Sequence, residues 1–99
     1  MDKKLNVLVR DIRSLFRDAR IFLFGSRANG NAKPGSDYDL IIVSEGFKPI
    51  TFVNRPGMIW RKTLVGIAAD LLCYTPKEFE KASKTSYVLK DALKHALPL

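Results

Sequence analysis

The chain of 99 residues has the length of one small domain, and 46% hydrophobic with 27% charged residues is the composition of a folded globular protein. A single cysteine, Cys73, excludes an internal disulfide and favours a reducing compartment. The start of the chain lacks a signal-peptide pattern, and no apolar run exceeds four residues. We therefore expect a cytoplasmic protein without a membrane span.

The net charge is +7, from seventeen lysines and arginines against ten carboxylates. Such a surplus favours anionic partners, among them nucleotides, nucleic acid and acidic proteins. A solvated basic face that only confers solubility has the same composition. Charge therefore indicates a class of partner without naming one.

The first predicted element is an amphipathic helix that ends near Asp18. Apolar residues spaced by three and four positions form its buried stripe: Leu5, Leu8, Val9, Ile12, Leu15 and Phe16. The branched and aromatic run at 21–24 predicts a buried strand. A glycine-rich loop with room for one helical turn follows over 25–36, and a second strand over 37–43 has a buried apolar end.

The middle of the chain is punctuated by prolines and glycine, which leave its structure weakly predicted. Residues 58–62 suit part of a short helix, in whose first turn Pro56 is tolerated. Residues 64–74 return to strand character, with 67–72 as the clearest part.

Two helices close the chain. The first begins at Thr75, which supplies an N-cap, with Pro76 in the first turn and Glu78 three residues after the cap. The second is amphipathic and extends to Ala96. The order of elements predicts an α/β (α+β) fold: one domain over 1–99, with a short mixed sheet covered by helices.

Three aspartates lie where carboxylates are unusual. Asp37 and Asp39 open a strand and point to the same face, with Tyr38 on the other, because side chains alternate along a strand. Two like charges about 6–7 Å apart repel unless a cation lies between them, and Mg²⁺ with oxygen ligands meets that requirement. Asp70 lies in an otherwise apolar strand, where burial of an unpaired carboxylate is costly. We therefore predict that Asp70 completes the same metal site.

Each aspartate also has an ordinary interpretation. Asp37 alone suits a cap or a turn, and Asp70 could pair with an arginine instead. The loop upstream favours metal binding over these ordinary interpretations, because its free backbone N–H groups can face an anion.

That loop begins with Gly25, Ser26 and Arg27. Gly25 allows the backbone to approach a phosphate closely, the Ser26 hydroxyl can donate to it, and Arg27 supplies a cation. Phosphate donors beside a carboxylate cluster predict a nucleoside-triphosphate site.

The pattern Gly25-Ser26, ten residues, Asp37-Tyr38-Asp39 resembles the signature of the DNA polymerase beta nucleotidyltransferase superfamily, and Asp70 matches the third acid. The small size is similar to that of minimal nucleotidyltransferases, which are often antitoxins paired with HEPN-type toxins. The resemblance covers most of the chain, from residue 22 to 80. It implies a nucleotidyltransferase fold with a short mixed sheet.

The resemblance also implies a reaction. A nucleoside monophosphate, usually AMP from ATP, is transferred to a hydroxyl, which in antitoxin members is a tyrosine on the toxin. Carried onto this sequence, Gly25 and Ser26 hold the triphosphate, and Asp37 and Asp39 bind two Mg²⁺ ions. Asp70 helps to hold one metal and acts as general base. One departure from the family pattern is Asn29, where many members have a basic residue.

Other classes of function remain open at this stage. The protein could neutralise a toxin by contact, with ATP as a structural ligand, or it could bind nucleic acid. The nucleic-acid hypothesis ranks third because gathered carboxylates repel phosphate unless metal is bound. A small-molecule acceptor, as in antibiotic-modifying relatives, also stays open, although those enzymes usually need a further domain to build the acceptor pocket. The terminal helices could also pack against a second chain, and His95, near the end of the last helix, suits a solvated or dipole-facing position.

Overall fold

The computed structural model describes residues 2–25, 28 and 37–99. The helices and strands of these ranges are, in chain order, α1 (Lys3–Leu15), β1 (Arg20–Phe24), β2 (Tyr38–Val43), α2 (Arg55–Lys62), β3 (Ala69–Tyr74), α3 (Pro76–Thr85), α4 (Tyr87–Leu93) and β4 (Leu97–Pro98). Two short 3₁₀ turns, Glu45–Phe47 and Phe52–Asn54, connect β2 to α2. The predicted α+β fold with a mixed sheet is confirmed. Within the described ranges, no helix combines the length and apolarity needed to cross a membrane.

The sheet has the strand order β3-β2-β1-β4. Strand β1 is antiparallel to both β2 and β4, whereas β2 and β3 are parallel. The register pairs Phe24 with Asp39 and Asp39 with Asp70. The last residue of β1 and the first residues of β2 and β3 therefore meet at one end of the sheet, which we call the carboxylate end.

Helices cover both faces of the sheet. On one face, α1 and α2 bury a cluster against alternate strand residues, and its members include Leu5, Leu8, Ile12, Tyr38, Leu40, Ile42, Phe47 and Ile59. On the other face, α3 and α4 pack Phe79, Ala82, Leu89 and Leu93 against Ile41 and Val43. The alternation along β2 follows from the twofold period of a strand. It places Asp39 on the α3/α4 face and Tyr38 on the α1/α2 face, as predicted.

Local signals begin two of the helices. The Asp2 carboxylate caps α1 by accepting a hydrogen bond from the Lys4 N–H at 2.7 Å. The predicted start of α3 is confirmed, because the Thr75 hydroxyl accepts from the Glu78 N–H at 3.2 Å and the Glu78 carboxylate accepts from the Thr75 N–H at 2.8 Å. This reciprocal pair is the capping box expected from the sequence.

The structure corrects the end of the first helix. Helix α1 ends at Leu15, three residues before the predicted Asp18, because Phe16 adopts an extended conformation and packs its ring on Phe47. Asp18 instead accepts hydrogen bonds from the Ser44 hydroxyl at 2.6 Å and from the Glu45 N–H at 2.8 Å. A tertiary contact, which the local periodicity cannot reveal, thus ends the helix.

Two later boundaries also differ from the prediction. Strand β3 begins at Ala69 rather than near Leu64, whose side chain is fully exposed. Helix α4 ends at Leu93 and does not reach Ala96, since the chain turns there to add the unpredicted strand β4 beside β1. Only two residues form β4, too few for a detectable period.

Candidate functional site

Two of the three predicted carboxylates occupy the same register position on neighbouring strands. Asp39 on β2 and Asp70 on β3 are direct partners in a parallel pair, so both side chains stand on the α3/α4 face. Asp37 immediately precedes β2 and is exposed. The structure therefore brings all three aspartates to the carboxylate end of the sheet.

The expectation that Asp70 is buried is wrong. Asp70 is exposed, whereas Asp39 beside it is partly buried. An exposed carboxylate has no desolvation cost, so the burial argument for Asp70 as a metal ligand does not hold. The assignment of Asp70 to the metal site rests instead on its position beside Asp39.

The charges of these carboxylates act on one another. The pKa of Asp39 is raised, first by its partial burial and then by the negative charges of Asp70 and Asp37. Mutual repulsion of this kind identifies a place where a cation would be stabilised. It is also typical of carboxylates gathered for function rather than for packing.

Gly25 closes the site on the β1 side. Its φ is 74°, a left-handed conformation that side-chain-bearing residues rarely adopt. A Cβ built on Gly25 would overlap Oδ2 of Asp39 and lie 3.3 Å from its Cγ. The Gly25 carbonyl accepts a hydrogen bond from the Ala28 N–H at 3.1 Å. The predicted phosphate contacts Ser26 and Arg27 lie outside the described residues, and their roles stay predictions.

The carboxylate end suits a hard divalent cation by its chemistry. Three carboxylates provide oxygen donors only, which is the ligand set that Mg²⁺ prefers. Among the residues that the structure describes, however, no group of three or more histidine, cysteine, aspartate and glutamate side chains is arranged to hold a metal ion. A metal at this site would thus require further oxygen ligands, and the phosphates of a nucleotide supply such oxygens.

A small cavity adjoins Gly25 on the side of α4. It has a volume of about 190 Å³ and is lined by Phe24, Gly25, Val88, Asp91, Ala92 and His95. His95 lies beyond the end of α4 and is exposed, as expected for a solvated residue. Its position beside Gly25, together with Asp91, was not predicted. The spacing of Val88 and Asp91 places those two side chains on one face of α4, whereas the position of His95, beyond the helix, left no signal in the sequence.

A buried arginine at the opposite end of the sheet is the second feature that the sequence did not reveal. Arg55 is 3% exposed and donates to the carbonyls of Ile50 at 2.9 Å and Cys73 at 3.0 Å. Its guanidinium also pairs with both carboxylate oxygens of Glu78, at 2.5 and 3.3 Å. Arg55 therefore joins α2 to β3 and α3, and its role is to hold the fold.

Cys73 is a core residue. It is 1% exposed, and burial raises the pKa of its thiol to about 12. A thiol with such a pKa is protonated at neutral pH, and this excludes Cys73 as a nucleophile.

The fold and its carboxylate end together define a protein of nucleotidyl-transfer type, and comparison with known proteins agrees. The nucleotidyltransferase domain family matches residues 5–97, so the chain belongs to that family. The structure is similar to a 1.40 Å crystal structure of a Sulfolobus solfataricus protein whose own assignment as a nucleotidyltransferase is provisional. The TM-score is 0.67 at 26% identity, over 97% of this chain and 76% of that one. No curated protein matches the chain significantly. The predicted superfamily is thereby confirmed.

Proposed function

We propose that the protein transfers AMP from ATP to a hydroxyl on a partner protein in a Mg²⁺-dependent reaction. Membership of the nucleotidyltransferase domain family supplies the general activity, and the nucleotide, metal and acceptor are our proposal. The observation that carries it is the register pairing of Asp39 with Asp70, with Gly25 packed against Asp39.

Each residue of the site has a part in this proposal. Gly25 and Ser26 hold the triphosphate, with Arg27 as a further cation, and Asp37 and Asp39 provide the oxygens for two Mg²⁺ ions. When bound, the ions neutralise the negative charge that develops on the phosphates and on the attacking and leaving oxygens. Burial and, after it, the charges of Asp70 and Asp37 raise the pKa of Asp39, and bound cations would favour its charged form.

Asp70 is the proposed general base, in addition to its share in metal binding. The acceptor hydroxyl transfers its proton to the Asp70 carboxylate while its oxygen attacks the α-phosphorus of ATP. The bond from that phosphorus to the bridging oxygen breaks, and pyrophosphate leaves with the electron pair. The exposure of Asp70 supports this role, because a hydroxyl on a large molecule can reach it.

The acceptor that we propose is a tyrosine of a HEPN-type toxin, so that the protein acts as an antitoxin. The support is the resemblance to minimal nucleotidyltransferases and the open carboxylate end, where Asp37 and Asp70 are both exposed. We place the reaction in the cytoplasm, in keeping with the single reduced cysteine. The competing proposal is an antitoxin that neutralises its partner by contact alone.

Calorimetric titration of ATP, with and without Mg²⁺, tests the site first. We expect Mg²⁺-dependent binding that Asp37→Asn/Asp39→Asn abolishes. The control Asp11→Asn/Glu45→Gln, which removes the same charge away from the carboxylate end, should leave binding unchanged. Equal binding by all three proteins would refute the assigned site.

Transfer to the partner is tested by incubating parent and variant with ATP labelled at the α-phosphate and the purified toxin. We expect label on a toxin tyrosine with the parent only. If the double aspartate variant still protects cells from the toxin as well as the parent does, neutralisation by contact replaces the catalytic proposal.

A further inference from the structure

A basic groove lies at the end of the sheet opposite the carboxylates. Its volume is about 610 Å³, and Lys48, Lys77, Lys81 and Lys84 line it around Arg55. The groove follows the C-terminal ends of β2 and β3, whereas Asp70 lies near the start of β3. Thr75 in the groove wall is five positions after Asp70, or about 16 Å along the strand direction.

The groove carries a positive surplus. Five cationic side chains line it against two carboxylates, Glu78 and Glu80. Both carboxylates are already bonded, Glu78 to Arg55 at 2.5 Å and Glu80 to Lys84 at 3.2 Å. The exposed ammonium groups of Lys48, Lys77 and Lys81 therefore dominate the field that a ligand meets.

Three of the lysines form a row. Lys77, Lys81 and Lys84 are spaced by four and three positions on α3, which puts them on one helical face over about 10 Å. A row of cations along a groove suits a ligand with regularly repeated negative charges. Both a nucleic-acid strand and an acidic peptide have that property.

An exposed aromatic side chain, Phe52, distinguishes a nucleic-acid strand from an acidic peptide as the ligand. Phe52 is 43% exposed, although its ring contacts Tyr74 at 5.5 Å and lies 5.7 Å from the guanidinium of Arg55 in the groove. Aromatic rings beside a basic groove bind single-stranded nucleic acid by stacking on its bases. Every nucleotide carries a flat base that can stack on such a ring, whereas an acidic peptide does so only where it has an aromatic residue, so the structure favours nucleic acid.

We propose that this groove binds single-stranded nucleic acid through Lys48, Lys77, Lys81 and Lys84, with Phe52 stacking on a base. The repulsion between phosphate and the three aspartates, which argued against nucleic acid at the level of sequence, does not apply at this distance from them. The binding is independent of the nucleotidyl transfer proposed above and of Mg²⁺.

Fluorescence anisotropy of a labelled mixed-sequence RNA tests the proposal. A strand of about 20 nucleotides exceeds the usual single-strand site, and EDTA in all samples keeps the carboxylate end from contributing. We expect affinity to fall with salt between about 50 and 200 mM, and Lys77→Gln/Lys81→Gln to reduce the slope of log K against log salt by about 1.4. Phe52→Ala should weaken binding at least about fivefold without changing that slope.

The control is Lys62→Gln/Lys90→Gln, which removes the same charge outside the groove and should leave the slope nearly unchanged. Lys48→Gln, on a different segment from α3, gives a second test should the α3 variant fold poorly by circular dichroism. No RNA binding at the lowest salt, or an equal loss in the control, would overturn the groove as a nucleic-acid site. Displacement of RNA by polyglutamate of matched charge, with no effect of Phe52→Ala, would assign the groove to an acidic protein.

Discussion

Gly25 and Asp39 pack so closely that no side chain fits between them: a Cβ on Gly25 would overlap Oδ2 of Asp39 and lie 3.3 Å from its Cγ. Gly25 also has a φ of 74°, which disfavours any replacement. The glycine of the Gly-Ser motif is thus required by the aspartate fourteen residues later, as well as by any phosphate that the loop accepts.

Gly25→Ala should therefore damage both stability and activity. We expect a loss of about 1–3 kcal/mol, because strain at a left-handed residue adds to displacement of the Asp39 carboxylate. Urea unfolding measures the loss, and Mg²⁺-dependent ATP binding measures the effect on the site. Gly66→Ala is the matched control: nothing lies within 4 Å of a Cβ there, so that variant should be neutral or slightly stabilised.

Asp39→Asn should stabilise the protein while it abolishes ATP binding. The pKa of Asp39 is raised in the folded state, so the charged carboxylate disfavours folding at neutral pH, and a neutral amide removes that penalty. Thermal unfolding without metal should show a gain of about 0.5–2 kcal/mol, the usual range for a substitution that removes an unfavourable charge. Asp11→Asn should give no such gain. A lower melting temperature for Asp39→Asn would contradict the electrostatic assignment.

Arg55→Met should be among the most destabilising substitutions in the described part of the chain. It removes the donors to the carbonyls of Ile50 and Cys73 as well as the pair with Glu78. Because the Glu78 side chain is 44% exposed, water can solvate it, and the cost comes from the two carbonyls that lose their donors, about 1–3 kcal/mol each, a large share of the stability of a small domain. Lys84→Met, which breaks only an exposed pair with Glu80, should cost less than about 1 kcal/mol. Denaturant unfolding of both variants checks the ranking.

Acid should destabilise the fold through Glu78. The hydrogen bond from Arg55 holds the pKa of Glu78 below its ordinary value of 4.5. A carboxyl with a lowered folded pKa contributes stability above its unfolded pKa and loses it as the pH falls through the folded pKa. The free energy of unfolding should therefore decline below about pH 4.5.

Glu78→Gln tests that dependence, because glutamine keeps the capping box with Thr75 but carries no charge. Its stability should start lower at neutral pH and fall less steeply on acidification. Asp18, whose pKa is lowered by the Ser44 hydroxyl, leaves a residual slope in this variant. An unchanged slope would show that the Arg55 pair does not contribute to acid unfolding.

Local and nonlocal signals explain which parts of this structure the sequence could predict. The start of α3 was predictable because Thr75 and Glu78 are three residues apart and cap each other. The meeting of Asp39 with Asp70 followed from the family motif, although the exposure of Asp70 did not, since its apolar neighbours in the sequence indicate a buried strand.

Structural features that depend on contacts between residues far apart in the chain could not be predicted from local sequence patterns. Strand β4 has two residues and is defined by its antiparallel pairing with β1. Arg55 looks like any surface arginine in the sequence, yet its partners come from three other segments. Single residues that satisfy tertiary partners lack the periodicity on which sequence prediction depends.

The Arg55 contact with the Cys73 carbonyl also bears on how copies of this chain can associate. Strand β3 is an edge of the sheet, and a further strand could pair with the side of β3 that faces away from β2. The Arg55 guanidinium already occupies one backbone acceptor of this strand, the Cys73 carbonyl. At the other edge, the Leu99 N–H already donates to the Ile21 carbonyl, and Pro98 has no N–H to offer. Both margins of the sheet thus resist the strand-to-strand pairing that begins aggregation. Any dimer of this protein is expected to form through its helices.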